Sequence, residues 1–220
     1  MKVSTFDLND FEKAADPLLV GEVMSVLSAM PLYVKKSDQA GKQGRLIFDP
    51  VGANAHLEKK LIRRKWASKV PIPKAQQALG TDVDFGKSGH LVEVQFSNYP
   101  FFLNNVIRTN VLFANKTELD GMGRIVAAMI VTKAKLFEAS NSTLYYEQAM
   151  EQTRFLVGGK TVAVPLRVIG LMADRGTTIS SILTHYHTPR YSRTVVHQDR
   201  IQVQVGDEDS HLERPLLKQV

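Results

Sequence analysis

The sequence contains no cysteine. Disulfide frameworks and cysteine-ligated zinc are therefore excluded, which suits the cytosol. Long hydrophobic runs are also lacking. The longest, IVAAMIV at 125–131, falls far short of the roughly 20 apolar residues that a membrane-spanning helix needs, and reads as a buried strand. The opening MKVSTFDLNDFEK has no apolar core of the kind a secretory signal carries. No internal repeat or low-complexity linker interrupts the chain. These absences predict a cytoplasmic protein without a membrane partner.

What is present is enough for one well-packed domain. The chain has 220 residues, 44% of them hydrophobic, so a substantial core is expected and global disorder is not. The net charge of +6 is unevenly spread. Residues 1–30 carry 2 basic and 5 acidic side chains, whereas residues 31–80 carry 11 basic and 3 acidic ones. A basic block of this kind suits a polyanion such as DNA. EKKLIRRKW (58–66) also has the pattern of a solvated amphipathic helix face, and charge alone leaves both readings open.

Apolar spacing predicts a helix within 10–30, with Val20, Val23, Met24 and Leu27 on one face. Residues 35–53 read as a Gly- and Lys-rich loop leading into a short apolar segment. Asn54 is expected to cap a helix running to about Ser68. VPIPK is an extended connector, because each proline biases its predecessor away from the helix. Two strands, DVDF and HLVEVQF, flank the turn GKSG at 86–89. A helix is expected over 99–114, with Asn98 as a possible cap and Pro100 in its first turn. Strands follow at 125–132 and 164–173, with a polar loop and a helix between them. Residues 178–205 alternate strongly and read as β-hairpins, and the last fifteen residues as loosely held. The order implies a mixed α/β sheet with an added β-rich part.

The chemistry concentrates in the hairpin. Alternation places Val83 and Phe85 on one face, with Val92, Val94 and Phe96, and places Asp82, Asp84, Glu93, Gln95 and Ser97 on the other. The turn brings Asp84 and Glu93 together. Two close carboxylates repel unless a cation lies between them. A hard ion such as Mg²⁺ fits this oxygen-only set, to which the Val94 carbonyl adds a further ligand. Such a site suits phosphodiester hydrolysis, in which a metal-activated water attacks phosphorus. Acids on the wet face of an ordinary hairpin give the same spacing, so spacing alone does not decide.

Two other patterns carry less. GTDVDFGKS resembles a phosphate-binding loop, but five residues rather than four separate Gly80 from Gly86, and the segment enters a strand rather than opening a helix. His185 and His187 share one strand face, with no third ligand at a recognised spacing, so no metal site is read there.

Four stretches occur in order across most of residues 30–200: SDQAGKQGRLIFDPVG (37–52), LGTDVDFGKSGHLVEVQFSNYPFFLNN (79–105), ASNSTLYYEQA (139–149) and RYSRT (190–194). Together they resemble the BglII-type family of type II restriction endonucleases, whose fold is of the PD-(D/E)XK kind and whose hallmark is an E-x-Q ending in place of the usual lysine. The resemblance implies a PD-(D/E)XK core, with a mixed central sheet flanked by helices, in a single endonuclease domain spanning 1–220. Residues 178–205 and part of 31–53 would be β-rich additions that embrace DNA. It implies a prokaryotic, Mg²⁺-dependent homodimer that cuts both strands of the palindrome AGATCT after its first A, leaving GATC 5′ overhangs, alongside a host DNA methyltransferase. Asp84, Glu93 and Gln95 would be catalytic, with Asp84, Glu93 and Val94 holding the metal. Dimer contacts would come from 99–114 and 143–156. Asn98, Asn141, Ser142, Tyr191 and Arg193 match DNA-contacting positions, as do Ser97 and Arg108. Asparagine suits the N6/N7 edge of adenine and arginine the O6/N7 edge of guanine, although Asn98 also reads as a plain helix cap. One departure stands out. Where the family has an asparagine that helps place the attacking water, the matching position here is Lys69, which is either its counterpart or, with the match shifted by a residue or two, only part of the basic block.

Overall fold

In a computed structural model, residues 1–159, 161–188, 193–206 and 217–220 are described. The chain begins with strand β1 (Lys2–Leu8), a single helical turn α1 (Phe11–Ala14) and helix α2 (Pro17–Ser28). Strands β2 (Leu32–Lys36) and β3 (Leu46–Phe48) precede helix α3 (Pro50–Ile62). Strand β4 (Ala67–Pro71) and a 3-10 turn (Lys74–Leu79) lead to β5 (Asp82–Lys87), β6 (His90–Val94) and helix α4 (Pro100–Ala114). Short strands β7 (Glu118–Leu119) and β8 (Gly123–Arg124) pair with each other. There follow β9 (Ala127–Lys133), α5 (Tyr146–Gly158), β10 (Leu166–Met172), β11 (Thr178–Tyr186), β12 (Val195–Val205) and β13 (Leu217–Gln219).

The central sheet has the order β1-β10-β9-β6-β5-β4. Its middle strands β6, β9 and β10 run parallel, and its outer pairings are antiparallel. Strand β9, AAMIVTK, is buried at every residue, as expected of a strand covered on both faces. Its alternate side chains serve different layers. Ala127, Met129 and Val131 pack with Leu19, Val23 and Leu27 of α2 and Leu57 and Leu61 of α3. Ala128 and Ile130 pack with Phe102, Val106 and Leu112 of α4 and Ala149 of α5. Each large apolar side chain sealed in these layers contributes roughly 1.5–3 kcal/mol.

The remaining strands close into a barrel of β11-β12-β13-β3-β2. Its residues Val34, Leu183, Val203, Val205 and Leu217 belong to the same apolar cluster as α2 and α3. The barrel thus grows out of one side of the core. Tyr186 Oη ties it down by donating to Asp49 Oδ2 at 2.7 Å.

Several expectations change. The N-terminal segment begins as a strand, paired residue for residue with β10. Helix α3 starts at Pro50 and ends at Ile62, and its cap is Asp49, whose Oδ1 accepts from the Val51 N–H at 3.1 Å; Asn54 lies inside the helix. Of the last fifteen residues, expected to be loosely held, 207–216 lie outside the described residues, while Leu217–Gln219 pairs with β12 and β3 and Leu217 is buried.

Candidate active site

The hairpin turns on Ser88 and Gly89, with φ of 45° and 75°. Positive φ at both central residues is the type I′ geometry that matches strand twist, and glycine takes the second position without strain. The β5–β6 ladder pairs Lys87 with His90, Gly86 with Leu91 and Phe85 with Val92, and ends there. Asp84 and Glu93 are the next residues beyond it. The alternation predicted for β5 also breaks at this point. Phe85 joins the α2/α3 layer and Val83 the α4 layer, so they do not share a face.

Asp84 opens on a cavity of about 290 Å³ lined by Asn54, Glu58, Ser68, Lys69, Phe85, Val94 and Arg193. Its Oδ2 accepts from the Val94 N–H at 2.7 Å. Glu93 lies behind, 2% exposed, and its Oε1 accepts from Arg108 Nη2 at 2.5 Å. Burial raises the pKa of Asp84. Burial, opposed by Arg108 and aided by the Asp84 charge, raises Glu93 to about 7. Desolvation thus outweighs the Arg108 attraction, and the pair is destabilised as two anions. A divalent cation would relieve that strain. The two carboxylates, with the Val94 carbonyl that the resemblance adds, are hard oxygens of the kind that fit Mg²⁺.

Gln95 faces away from the cavity. It is buried, and its Nε2 donates to the carbonyls of Ser97 and, at 3.3 Å, Asn98. Its Oε1 accepts from Asn105 Nδ2 at 3.3 Å, and Asn105 Oδ1 in turn accepts from Arg108 Nη2 at 3.1 Å. One chain of hydrogen bonds therefore runs from Glu93 through Arg108, Asn105 and Gln95 to the backbone of Ser97 and Asn98. Arg108 sits inside this network rather than on an open surface. Gly80 makes room for it: at φ 128°, a Cβ there would lie 2.5 Å from Arg108 Nη1.

Asn98 is exposed with φ 35°, and α4 has no side-chain cap, so the plain capping role is not what the fold uses it for. The next residue, Tyr99, donates its N–H to the Ser142 carbonyl at 3.2 Å. FSNYP and ASNS, far apart in sequence, thus meet at one rim. Asn141 and Ser142 are exposed there and line a second cavity of about 390 Å³ with Lys42, Tyr99 and Lys135. Lys133 anchors this rim from below. Buried completely, it donates to the Phe96 carbonyl at 2.7 Å, Thr143 Oγ1 at 2.6 Å and the Leu144 carbonyl at 2.9 Å. Burial lowers its pKa to about 7, while three acceptors match the three N–H bonds of its ammonium form. Lys69, Asn98 and Ser142 all hold left-handed φ values (51°, 35° and 58°), a backbone state that costs energy and clusters at working sites.

The cavity therefore gathers Asp84, Val94, Lys69 and Arg193, and the rim gathers Ser97, Asn98, Asn141 and Ser142. Tyr191 lies outside the described residues. Sequence reasoning missed Asn54, Glu58 and Asn105. Asn105 left one trace: with Arg108 it sits at i, i+3 spacing on a helix face otherwise occupied by Phe102, Val106 and Thr109.

Comparison with known proteins places this geometry. The sequence model of the family "Restriction endonuclease BglII/BglIII" matches residues 10–171. A Bacillus subtilis protein named Type II restriction enzyme BglII is 45% identical over 207 residues, covering 94% of this chain and 92% of its own. The crystal structure of restriction endonuclease BglII complexed with a DNA 16-mer superposes with a TM-score of 0.96 at 42% identity, covering both chains completely. The crystal structure of free BglII gives 0.77 at 38% identity, again over all of both chains.

Proposed function

Since the chain belongs to the BglII/BglIII restriction endonuclease family and is a type II site-specific deoxyribonuclease, we propose that Asp84 and Glu93 are its catalytic carboxylates, and that the rim they adjoin reads the DNA. The observation that carries the proposal is the hydrogen-bonded chain from Glu93 to Asn98, which couples the acid pair rigidly to a base-reading residue.

Asp84, Glu93 and the Val94 carbonyl would hold Mg²⁺. When bound there, the ion supplies charge neutralisation at the phosphate and a lowered pKa for water. The protein does the rest. Water attacks phosphorus in line and the 3′ oxygen leaves. Gln95 is neutral and its amide is engaged by Ser97, Asn98 and Asn105, so it provides neither a base nor a charge; it sets the geometry. Positive charge for the phosphate comes instead from Lys69 and Arg193, the two cations that line the cavity among the described residues. Asn98, Asn141 and Ser142, with Ser97 and Tyr191, would contact the DNA. AGATCT, cut after its first A, is the site implied by the resemblance.

A homodimer is supported by the surface. Helix α4 exposes Phe101 and Ile107 at 50% and 51%, and α5 exposes Phe155 at 84%. Three large apolar side chains left in water on neighbouring helices suit a subunit contact. The high similarity to the DNA-complexed enzyme, against the lower similarity to the free one, supports assigning this conformation to the DNA-embracing form. Digestion of a sequenced plasmid with Mg²⁺ or with chelator tests the reading. Metal-dependent cuts at one palindrome with GATC 5′ ends are expected, and cuts without sequence preference would overturn it.

A further inference from the structure

The β11–β12 ribbon brings together three groups that are scattered in sequence. In the antiparallel ladder His185 stands directly opposite His197, and Asp199 is two residues further along β12. Their imidazole rings stack with centroids 4.0 Å apart and planes 12° from parallel. One carboxylate oxygen, Asp199 Oδ2, lies 3.0 Å from His185 Nε2 and 3.5 Å from His197 Nε2. All three ligand atoms fall within 4.8 Å of one another. His187 takes no part in this group: β12 supplies the two ligands that join His185.

These distances have a physical meaning. Ligands bonded at about 2.0–2.2 Å to a tetrahedral ion lie about 3.4 Å apart. The carboxylate already stands near that spacing from both nitrogens, and swinging the two rings out of their stack turns both Nε2 atoms toward one ion. We propose that His185, His197 and Asp199 form a binding site for a borderline transition metal of the zinc class, with a fourth position open to solvent. The site differs in kind from the Asp84–Glu93 pair. Imidazole nitrogen favours Zn²⁺, Co²⁺ or Ni²⁺, whereas an all-oxygen set favours Mg²⁺.

Its position gives it a role. His197 lies four residues after Arg193, which lines the Asp84 cavity, and the His187 N–H donates to the Thr194 carbonyl at 3.0 Å beside it. The ladder slips between His185 and Tyr186, and Tyr186 is bonded to the buried Asp49. An ion across the two strands fixes the ribbon at that irregular step and so steadies Arg193 at the start of β12's approach. The binding stands by itself, and its consequence for DNA rests on the endonuclease reading.

The test uses full-length protein carrying Asp84→Asn, in excess Mg²⁺, titrated with Co²⁺ and followed by visible absorption and calorimetry. One Co²⁺ per chain with a tetrahedral-type band, displaced by Zn²⁺, is expected. His197→Ala should weaken binding by about tenfold or more, and so should His185→Ala. Both histidines are at the surface, so unchanged metal-free melting of these variants checks their folding. A Zn²⁺-dependent rise in Tm should appear with the histidines intact and vanish in His197→Ala. Absence of one-to-one binding, or binding that both histidine variants retain, overturns the site without touching the Asp84–Glu93 reading. A failure of plasmid cleavage would strike that reading and leave the Co²⁺ result intact.

Discussion

Arg108 Nη2 lies 2.5 Å from Glu93 Oε1, and this is the ion pair on which the buried carboxylate depends. Glu93 is sealed from water, so no solvent substitutes for the guanidinium. Arg108→Met should raise the Glu93 pKa above about 7 and shift the lower limb of the pH–rate profile of cleavage upward. Single-turnover rates should fall most at acidic pH and recover partly at alkaline pH. Gly80→Ala should reproduce the effect from a distance, because its methyl group would occupy the place of Arg108 Nη1. A profile of unchanged shape in both variants would remove Arg108 from the catalytic account.

Proton release should accompany metal uptake. Glu93 in the metal-free protein keeps its proton up to about pH 7, and its raised folded pKa means that the metal-free fold loses stability as pH rises from the ordinary carboxylate range through 7. Ion binding needs the ionised form, so affinity should move the other way, tightening up to about tenfold per pH unit as pH approaches 7 and levelling off above it. Ca²⁺ titration by calorimetry in buffers of different ionisation enthalpy measures both affinity and released protons. A flat dependence between pH 5.5 and 7, on the order of the range where Glu93 titrates, would contradict the assignment.

Lys69 should separate stability from activity. Its φ of 51° is poorly tolerated by most side chains and better by asparagine. Lys69→Asn is therefore expected to hold or raise the melting temperature, by an amount worth a few tenths of a kcal/mol up to about 1 kcal/mol. The same change removes one of the two cavity cations, and cleavage should slow by about tenfold or more. Lys69→Arg should retain more activity than Lys69→Met. Equal rates for Asn, Met and Arg variants would make Lys69 a bystander.

The sequence made the Asp84–Glu93 hairpin legible because its signals are local. A turn that tolerates positive φ and two acids straddling it lie within one short window, although the apolar alternation read for β5 does not hold at Val83 and Phe85. Helix α4 and strand β9 were legible for the same reason. What stayed hidden depends on partners distant in sequence. Strand β1 has a half-polar pattern that only its pairing with β10 explains. Leu217–Gln219 is a strand because β3 and β12 offer edges to it. Lys133 reads as the end of an apolar strand, and only the fold brings the Phe96 and Leu144 carbonyls to its ammonium group. Gln95 reads as a catalytic residue from its place in the motif. The fold turns it toward Asn105 and the rim backbone, a choice that depends on the packing of α4 against β6 and not on the motif itself.

The most direct test of the account is cleavage by Asp84→Asn of a duplex carrying one AGATCT site. The substitution keeps the shape and an acceptor for the Val94 N–H while removing the charge that opens on the cavity. With Ca²⁺, binding of the duplex should stay within about tenfold of wild type, since the proposed base-reading residues lie on the rim. With Mg²⁺, single-turnover cleavage should fall by roughly 10³-fold or more, as expected when a metal-holding carboxylate is lost. Full cleavage by Asp84→Asn in Mg²⁺, or an intact duplex with the wild-type protein, would contradict the assignment of the Asp84–Glu93 pair.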